Sequence, residues 1–118
     1  MLSEHEIQKS FFSWLSFPPT LVKYPEVKKF YTVPNGLRTA IRTAVKAKAE
    51  GLKSGVPDTF LPVARKGYNG LYIEFKTKKN YLSHNQKEWF MWLMEEGFRC
   101  KVAKSLDEAI EIVEDYLC

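Results

Sequence analysis

Glu74 and Lys76 stand two residues apart in the run Leu71-Tyr72-Ile73-Glu74-Phe75-Lys76. Period-two alternation there predicts a β-strand with Leu71, Ile73 and Phe75 on one face and Tyr72, Glu74 and Lys76 on the other. The turn-rich segment Arg65-Lys66-Gly67-Tyr68-Asn69-Gly70 precedes it, and Thr59-Phe60-Leu61-Pro62-Val63 comes before that. A hairpin folded at this turn returns Asp58, at the start of one strand, to the neighbourhood of Glu74 near the end of the other. Two carboxylates and one ammonium then converge. Hard divalent cations such as Mg²⁺ bind through one or two carboxylates and complete their shell with water and phosphate oxygens. Asp58 and Glu74 supply that minimum, and the main-chain carbonyl of Phe75, between the two outward-reaching side chains, is a candidate further ligand. Lys76 is suited to orient or help deprotonate an attacking water and to offset charge building on a phosphate. The chemistry in view is metal-assisted hydrolysis of a phosphodiester.

The flanking elements must hold these residues. Ser3 to Ser16 place Ile7, Phe11, Trp14 and Leu15 at helical spacing behind a Ser3/Glu6 capping box. Pro18-Pro19 ends that helix, and the stretch through Pro25 reads as a connection. Phe30-Tyr31-Thr32-Val33 is β-prone and stops at Pro34-Asn35-Gly36. From Leu37 to Glu50 the pattern is helical, with Leu37, Ile41, Val45 and Ala49 on an apolar face and Gly51 as the stop. Pro62 lacks an amide proton, which places it at an edge, a bulge or an outward-facing position. Ser83-His84-Asn85-Gln86 opens a helix that turns Trp89, Phe90, Leu93 and Met94 inward and closes at Gly97. A strand, Phe98 to Ala103, and a final helix capped by Ser105 follow. The order α, β, α, β, β, α, β, α packs most economically as a central mixed β-sheet flanked by helices, an α/β fold.

A chain of 118 residues fits a single domain spanning 1–118. Its apolar runs are too short for a membrane span. The start Met-Leu-Ser-Glu-His-Glu lacks the parts of a secretory signal, so the expected setting is cytoplasmic. Cys100 and Cys118, the two cysteines, offer neither a disulfide framework nor zinc-ligand spacing. His5 and His84 lack a spaced partner histidine and are expected in solvent. The net charge of +4 is modest, so placement matters more than total. Arg38, Arg42 and Lys46 recur every fourth residue without interleaved acids, and Lys53 extends the stripe. With Lys78 and Lys79 just beyond Lys76, they suit contact with phosphates, positioning DNA without reading its sequence.

Gly55-Val56-Pro57-Asp58, Tyr72-Ile73-Glu74-Phe75-Lys76 and Ser83-x-x-Gln86, in that order, resemble the stand-alone VRR-NUC module of the PD-(D/E)XK nuclease superfamily. Alone, Glu-x-Lys carries almost no information; the ordered combination is specific. The resemblance implies a restriction-endonuclease-like fold, metal binding by Asp58 and Glu74, Lys76 as the catalytic lysine, and Gln86 as a site glutamine reaching in from its helix. A glutamate on the first helix is also usual: Glu4 lies on the inward face, whereas Glu6 can be taken by the cap, so Glu4 is favoured. Also implied are a homodimer, phage or bacterial members, and action on branched DNA such as four-way (Holliday) junctions. Mg²⁺ is the expected ion, with Mn²⁺ as substitute.

Blander readings stand beside these. Glu74 and Lys76 suit a solvent-facing strand pair of little energetic weight. Asp58 after Pro57 suits a turn. Gln86 suits its capping box, and serving the cap is expected to exclude serving the site. Trp89, Phe90 and Trp92 suit either a core or a nucleobase platform, with core favoured for the first two. Rival functions are a noncatalytic DNA-binding adaptor that keeps the nuclease fold, and a protein-interaction domain using the aromatic helix around Trp92.

Overall fold

The Ser3 hydroxyl accepts the Glu6 N–H at 3.1 Å and the Glu6 carboxylate accepts the Ser3 N–H at 3.2 Å, so α1 (Glu4–Leu15) starts at the expected capping box. The structure, a computed structural model, describes residues 2–34 and 41–118, with only the main chain of 41–44. α1 buries Ile7, Phe11 and Leu15. Pro18-Pro19 ends α1 as expected, yet the segment beyond is no plain connection. It forms α2 (Pro18–Lys23) and a 3-10 helix, Pro25–Lys29. A proline at the first helical position loses only an N–H that has no partner there, and its fixed φ already suits a helix. The residues that stop one helix therefore start the next.

β1 (Tyr31–Thr32), β2 (Thr59–Leu61), β3 (Leu71–Phe75) and β4 (Arg99–Ala103) form one sheet in the order β1-β2-β3-β4. β1 with β2 and β2 with β3 pair antiparallel, and β4 is parallel to β3. A parallel pair needs a crossover, and α4 (His84–Glu95) provides it. α3 (Ile41–Ala49) precedes β2, and α5 (Leu106–Leu117) ends the chain. The mixed sheet flanked by helices is the arrangement expected.

Alternation along β3 sorts two cores. Leu71, Ile73 and Phe75 join Ile7, Phe11 and Leu15 of α1 and Ala109, Val113 and Tyr116 of α5. On the opposite face, Phe90 and Leu93 of α4 pack with Cys100, and Tyr72, Trp89 and Phe98 lean on that cluster. Glu74 belongs to this second face and is thereby covered.

The β2–β3 hairpin closes at Lys66-Gly67, where both residues have positive φ, 54° and 85°, and Arg65 and Tyr68 exchange main-chain hydrogen bonds. That is the type I′ geometry, whose twist matches paired strands. β2 is shorter than expected: it stops at Leu61, Pro62 is exposed, and the Val63 N–H donates to the Leu61 carbonyl at 2.9 Å across it. Residues 37–40 of the expected third helix lie outside the described residues. Within α3, Val45 is 64% exposed and Ala49 is exposed too, so the expected apolar face is uncovered there. Periodicity shows what a helix can bury, not whether a neighbour arrives to bury it. Among the described residues no helix is long and apolar enough to cross a membrane.

Gly55 has φ 92°, and a Cβ built on it would stand 2.9 Å from Asn85 Cβ and 3.0 Å from the Asn85 main chain; Gly67, with φ 85°, would meet nothing within 4 Å. Urea denaturation of the two alanine variants separates backbone strain from collision. Gly67→Ala is expected to cost roughly 1–2 kcal/mol, and Gly55→Ala about 1–3 kcal/mol more. Equal losses would mean that the loop before Asp58 is not clamped to α4.

Candidate active site

Asp58 immediately precedes β2, and the register pairs Thr59 with Ile73, so one further step sets Asp58 across from Glu74. The main chain fastens this junction. The Asp58 N–H donates to Glu74 Oε1 at 3.2 Å, and the Phe75 N–H donates to Asp58 Oδ2 at 2.9 Å. From β1, the Val33 N–H at 2.7 Å and the Thr32 hydroxyl at 3.2 Å donate to the Asp58 carbonyl. The buried Thr59 hydroxyl donates to the Ile73 carbonyl at 2.9 Å. Each carboxylate is thus held by an amide of the strand opposite.

Glu74 is only 2% exposed, and the Lys76 ammonium, whose side chain is 12% exposed, lies 3.8 Å from Glu74 Oε2. The expectation that Glu74 and Lys76 share a face holds, and α4 covers that face, so the solvent-facing alternative does not. Burial, with the Asp58 carboxylate alongside, pushes the Glu74 carboxyl up to about 9, against the smaller opposing pull of Lys76. Burial and the neighbouring carboxylate both favour the protonated form of Glu74.

Gln86 was expected to serve either its cap or the site, and it does both. Its Oε1 accepts the Ser83 N–H at 2.8 Å while its Nε2 donates to Glu74 Oε2 at 3.1 Å. A carboxamide has an acceptor end and a donor end, so one bond leaves the other free. The Ser83 hydroxyl completes the box by accepting the Gln86 N–H at 3.2 Å. The cap therefore fixes the side chain that restrains Glu74.

Of the glutamates on α1, Glu6 is engaged by the cap, as expected. Glu4 is half-buried and accepts Asn80 Nδ2 at 2.9 Å, tying α1 to the loop after β3. Among the described residues no group of three or more His, Cys, Asp or Glu gathers as a metal cluster. The anionic oxygens that meet at the hairpin are those of Asp58 and Glu74, with main-chain carbonyls beside them. Phe75 buries its ring in the main core, and its carbonyl leaves the strand on the same edge as its Asp58-bound N–H. Hard anionic oxygens crowded into a buried place fit a hard divalent cation.

The basic residues divide. Arg38 lies outside the described residues, as does the side chain of Arg42. Lys46 is exposed on α3, Lys53 is exposed on the loop leading to Asp58, and Lys78 and Lys79 are exposed beyond Lys76. His84 is exposed, as expected, and its Nε2 meets Glu88 Oε1 at 2.9 Å. Phe90 is buried and Trp89 is half-buried, as expected, whereas Trp92 is 62% exposed. Sequence reasoning missed Gln8 and Thr32: Gln8 Nε2 donates to the Thr32 hydroxyl at 3.1 Å, extending the chain of bonds from α1 to Asp58. Nothing in the spacing of Gln8 reports this link, which exists only because the fold brings β1, paired with β2, within reach of α1.

The VRR-NUC domain family model matches residues 4–107. A solved structure described as a VRR_NUC domain protein superposes with a TM-score of 0.80 at 30% identity, covering 99% of this chain and 89% of that one. No curated protein matches the sequence.

The unfolded chain loses the Glu74 proton near 4.5 and the folded protein keeps it to about 9. That contribution to stability is fully present below the lower value and lost as pH rises through the upper one. In EDTA, the Tm is therefore expected to fall between pH 6 and pH 9, by about 5 °C for each kcal/mol lost. Glu74→Gln should flatten this slope; the same slope in the variant would acquit Glu74 as its source.

Proposed function

The chain belongs to the VRR-NUC domain family, and on that premise we propose that it is a metal-dependent DNA endonuclease with Asp58 and Glu74 as cation ligands and Lys76 as its catalytic lysine. Family membership implies a nuclease acting on DNA. The observation that carries the finer reading is the convergence of Asp58, Glu74, Lys76 and Gln86 on one covered face of the sheet.

Asp58 and Glu74, with the Phe75 carbonyl, would hold the cation, Mg²⁺ by preference and Mn²⁺ as substitute. A bound cation of this kind polarises the phosphoryl group and eases ionisation of the attacking water. The protein's own residues do the rest. Gln86 and the Asp58 amide each bind one oxygen of Glu74, which stops the carboxylate from rotating away. Lys76 stands beside Glu74 with most of its stem buried and its charge directed to the same place, where it orients water and offsets charge on the phosphate. Glu4, half-buried at the start of α1, is an outer participant that acts on the loop through Asn80.

Lys46, Lys53, Lys78 and Lys79, together with Arg38 and Arg42, would bind phosphates on either side of the cut. A homodimer would present two such sites to two strands, and branched DNA such as a four-way junction offers strands in that relation. One domain over 1–118, acting in the cytoplasm of a bacterial or phage-infected cell, completes the proposal.

Labelled four-way junction, flap, duplex and single-stranded DNA, incubated with Mg²⁺, Mn²⁺ or EDTA, test it. Wild type should cut only with metal. Asp58→Ala, Glu74→Ala and Lys76→Met should each lose at least about 100-fold in rate while still binding DNA. Metal-independent binding without cutting would instead identify a noncatalytic adaptor. Replacing Lys46 and Lys53 together by alanine should lower the slope of log affinity against log salt by about 2; an unaltered slope removes them from the phosphate surface.

A further inference from the structure

A groove of about 430 Å³ opens along α4, lined by Lys53, Ser54, Asn85, Glu88, Trp89 and Trp92. Asn85, Trp89 and Trp92 stand at i, i+4 and i+7, a single stripe of the helix. Trp89 leans on the second core cluster and still faces the groove, while Trp92 is 62% exposed. The opposite wall comes from the loop that delivers Asp58. That wall is fixed, because Gly55 lies against the Asn85 main chain and Asn85 Nδ2 donates to the Ser54 hydroxyl at 3.1 Å.

The lining selects its occupant. Two indoles offer flat apolar faces, which suit a π-faced solute. Asn85 and Ser54 add donors and acceptors, and Glu88, paired with His84, adds a further acceptor. Lys53 places a cation at the rim. A nucleobase uses all of these at once: its ring stacks, its exocyclic groups hydrogen-bond, and its phosphate meets the lysine. A bare phosphate would find the indoles useless and Glu88 repulsive, and a second copy of the chain or an apolar peptide would leave the polar wall unused.

The groove also adjoins the carboxylates. Gln86, which restrains Glu74, follows Asn85 and precedes Trp89 by one turn. With ~1.5 Å and ~100° per residue, Trp92 lies about 9 Å along the axis from Gln86 and about a third of a turn round it. At ~3.4 Å per nucleotide of one strand, the axial part alone spans about two or three nucleotides. Resting on the nuclease reading above, we infer that the groove takes an unstacked nucleobase of the DNA, a few nucleotides from the phosphate to be cut. A base in continuous duplex is not available to it. Selectivity for single strands, flaps and branch points then resides within one subunit, in the Trp89–Trp92 wall.

The test reads binding in EDTA, where no cutting occurs, by anisotropy of labelled single-stranded and duplex DNA. Trp92→Ala should lose about tenfold or more of single-strand affinity relative to duplex affinity, and Trp92→Phe should keep most of it. A single abasic nucleotide moved along the strand should weaken wild type at one position and leave Trp92→Ala indifferent there. The inference is overturned if the scan is flat, if both affinities fall together, or if Trp92→Ala sediments at lower mass than wild type, which would assign the face to a second copy. Single-strand preference intact in a protein that never cuts would sink the nuclease reading alone, and cutting with a flat scan would sink the groove alone.

Discussion

Two carboxylates are brought together where water is scarce, and the rest of the molecule is arranged around tolerating that. Glu74 lies on an interior strand under α4, with Asp58 across the hairpin from it. Left bare, such a pair would be costly, since burial and like charge both disfavour ionisation. The fold meets the cost with directed donors: the Asp58 amide and the Gln86 carboxamide on Glu74, the Phe75 amide on Asp58, and the Lys76 ammonium beside them. Among the described residues no buried side-chain polar atom lacks a hydrogen-bond partner.

The support for this pair comes from several separate segments of chain. β1 holds the Asp58 main chain through Val33 and Thr32, and α1 reaches Thr32 through Gln8. The start of α4 carries Gln86, and Gly55 presses the loop before Asp58 onto that same turn. Positions in a buried site are kept by such secondary contacts, because a carboxylate displaced by even a fraction of an ångström loses its directed bonds. The N-cap of α4 shows the economy of the arrangement. One glutamine side chain starts the helix and restrains the site, so helix register and carboxylate orientation cannot drift apart.

The sheet's two faces have different tasks. The face toward α1 and α5 supplies the main core, with Phe75 and Leu71 at full burial, and is polar at the buried Thr59 and along β4, where Arg99 meets Asp115 of α5. The face toward α4 is mixed: Phe60 and Tyr72 pack with ring centroids 4.3 Å apart at one end, and Asp58 and Glu74 lie toward the other. α4 therefore covers a core with Phe90 and Leu93, touches the carboxylates with Gln86, and presents Trp92 to solvent. A helix of three turns serves these ends because its side chains leave the axis in different directions.

Much of this was legible in the sequence. Alternation from Leu71 to Lys76 put Glu74 and Lys76 on one face, the turn around Lys66-Gly67 put Asp58 within reach, and the capping boxes at Ser3 and Ser83 marked where helices begin, because these are local properties of spacing and side-chain chemistry. Other features were decided only in three dimensions. That the face of α3 bearing Val45 and Ala49 is uncovered and that Gln8 is linked to Asp58 through Thr32 both depend on which segments become neighbours. The two roles of Gln86 belong to the same class. Its spacing from Ser83 fixed the cap, but only the packing of α4 on β3 brought its free amide end to Glu74, and contact across a sheet and a helix has no periodicity to read.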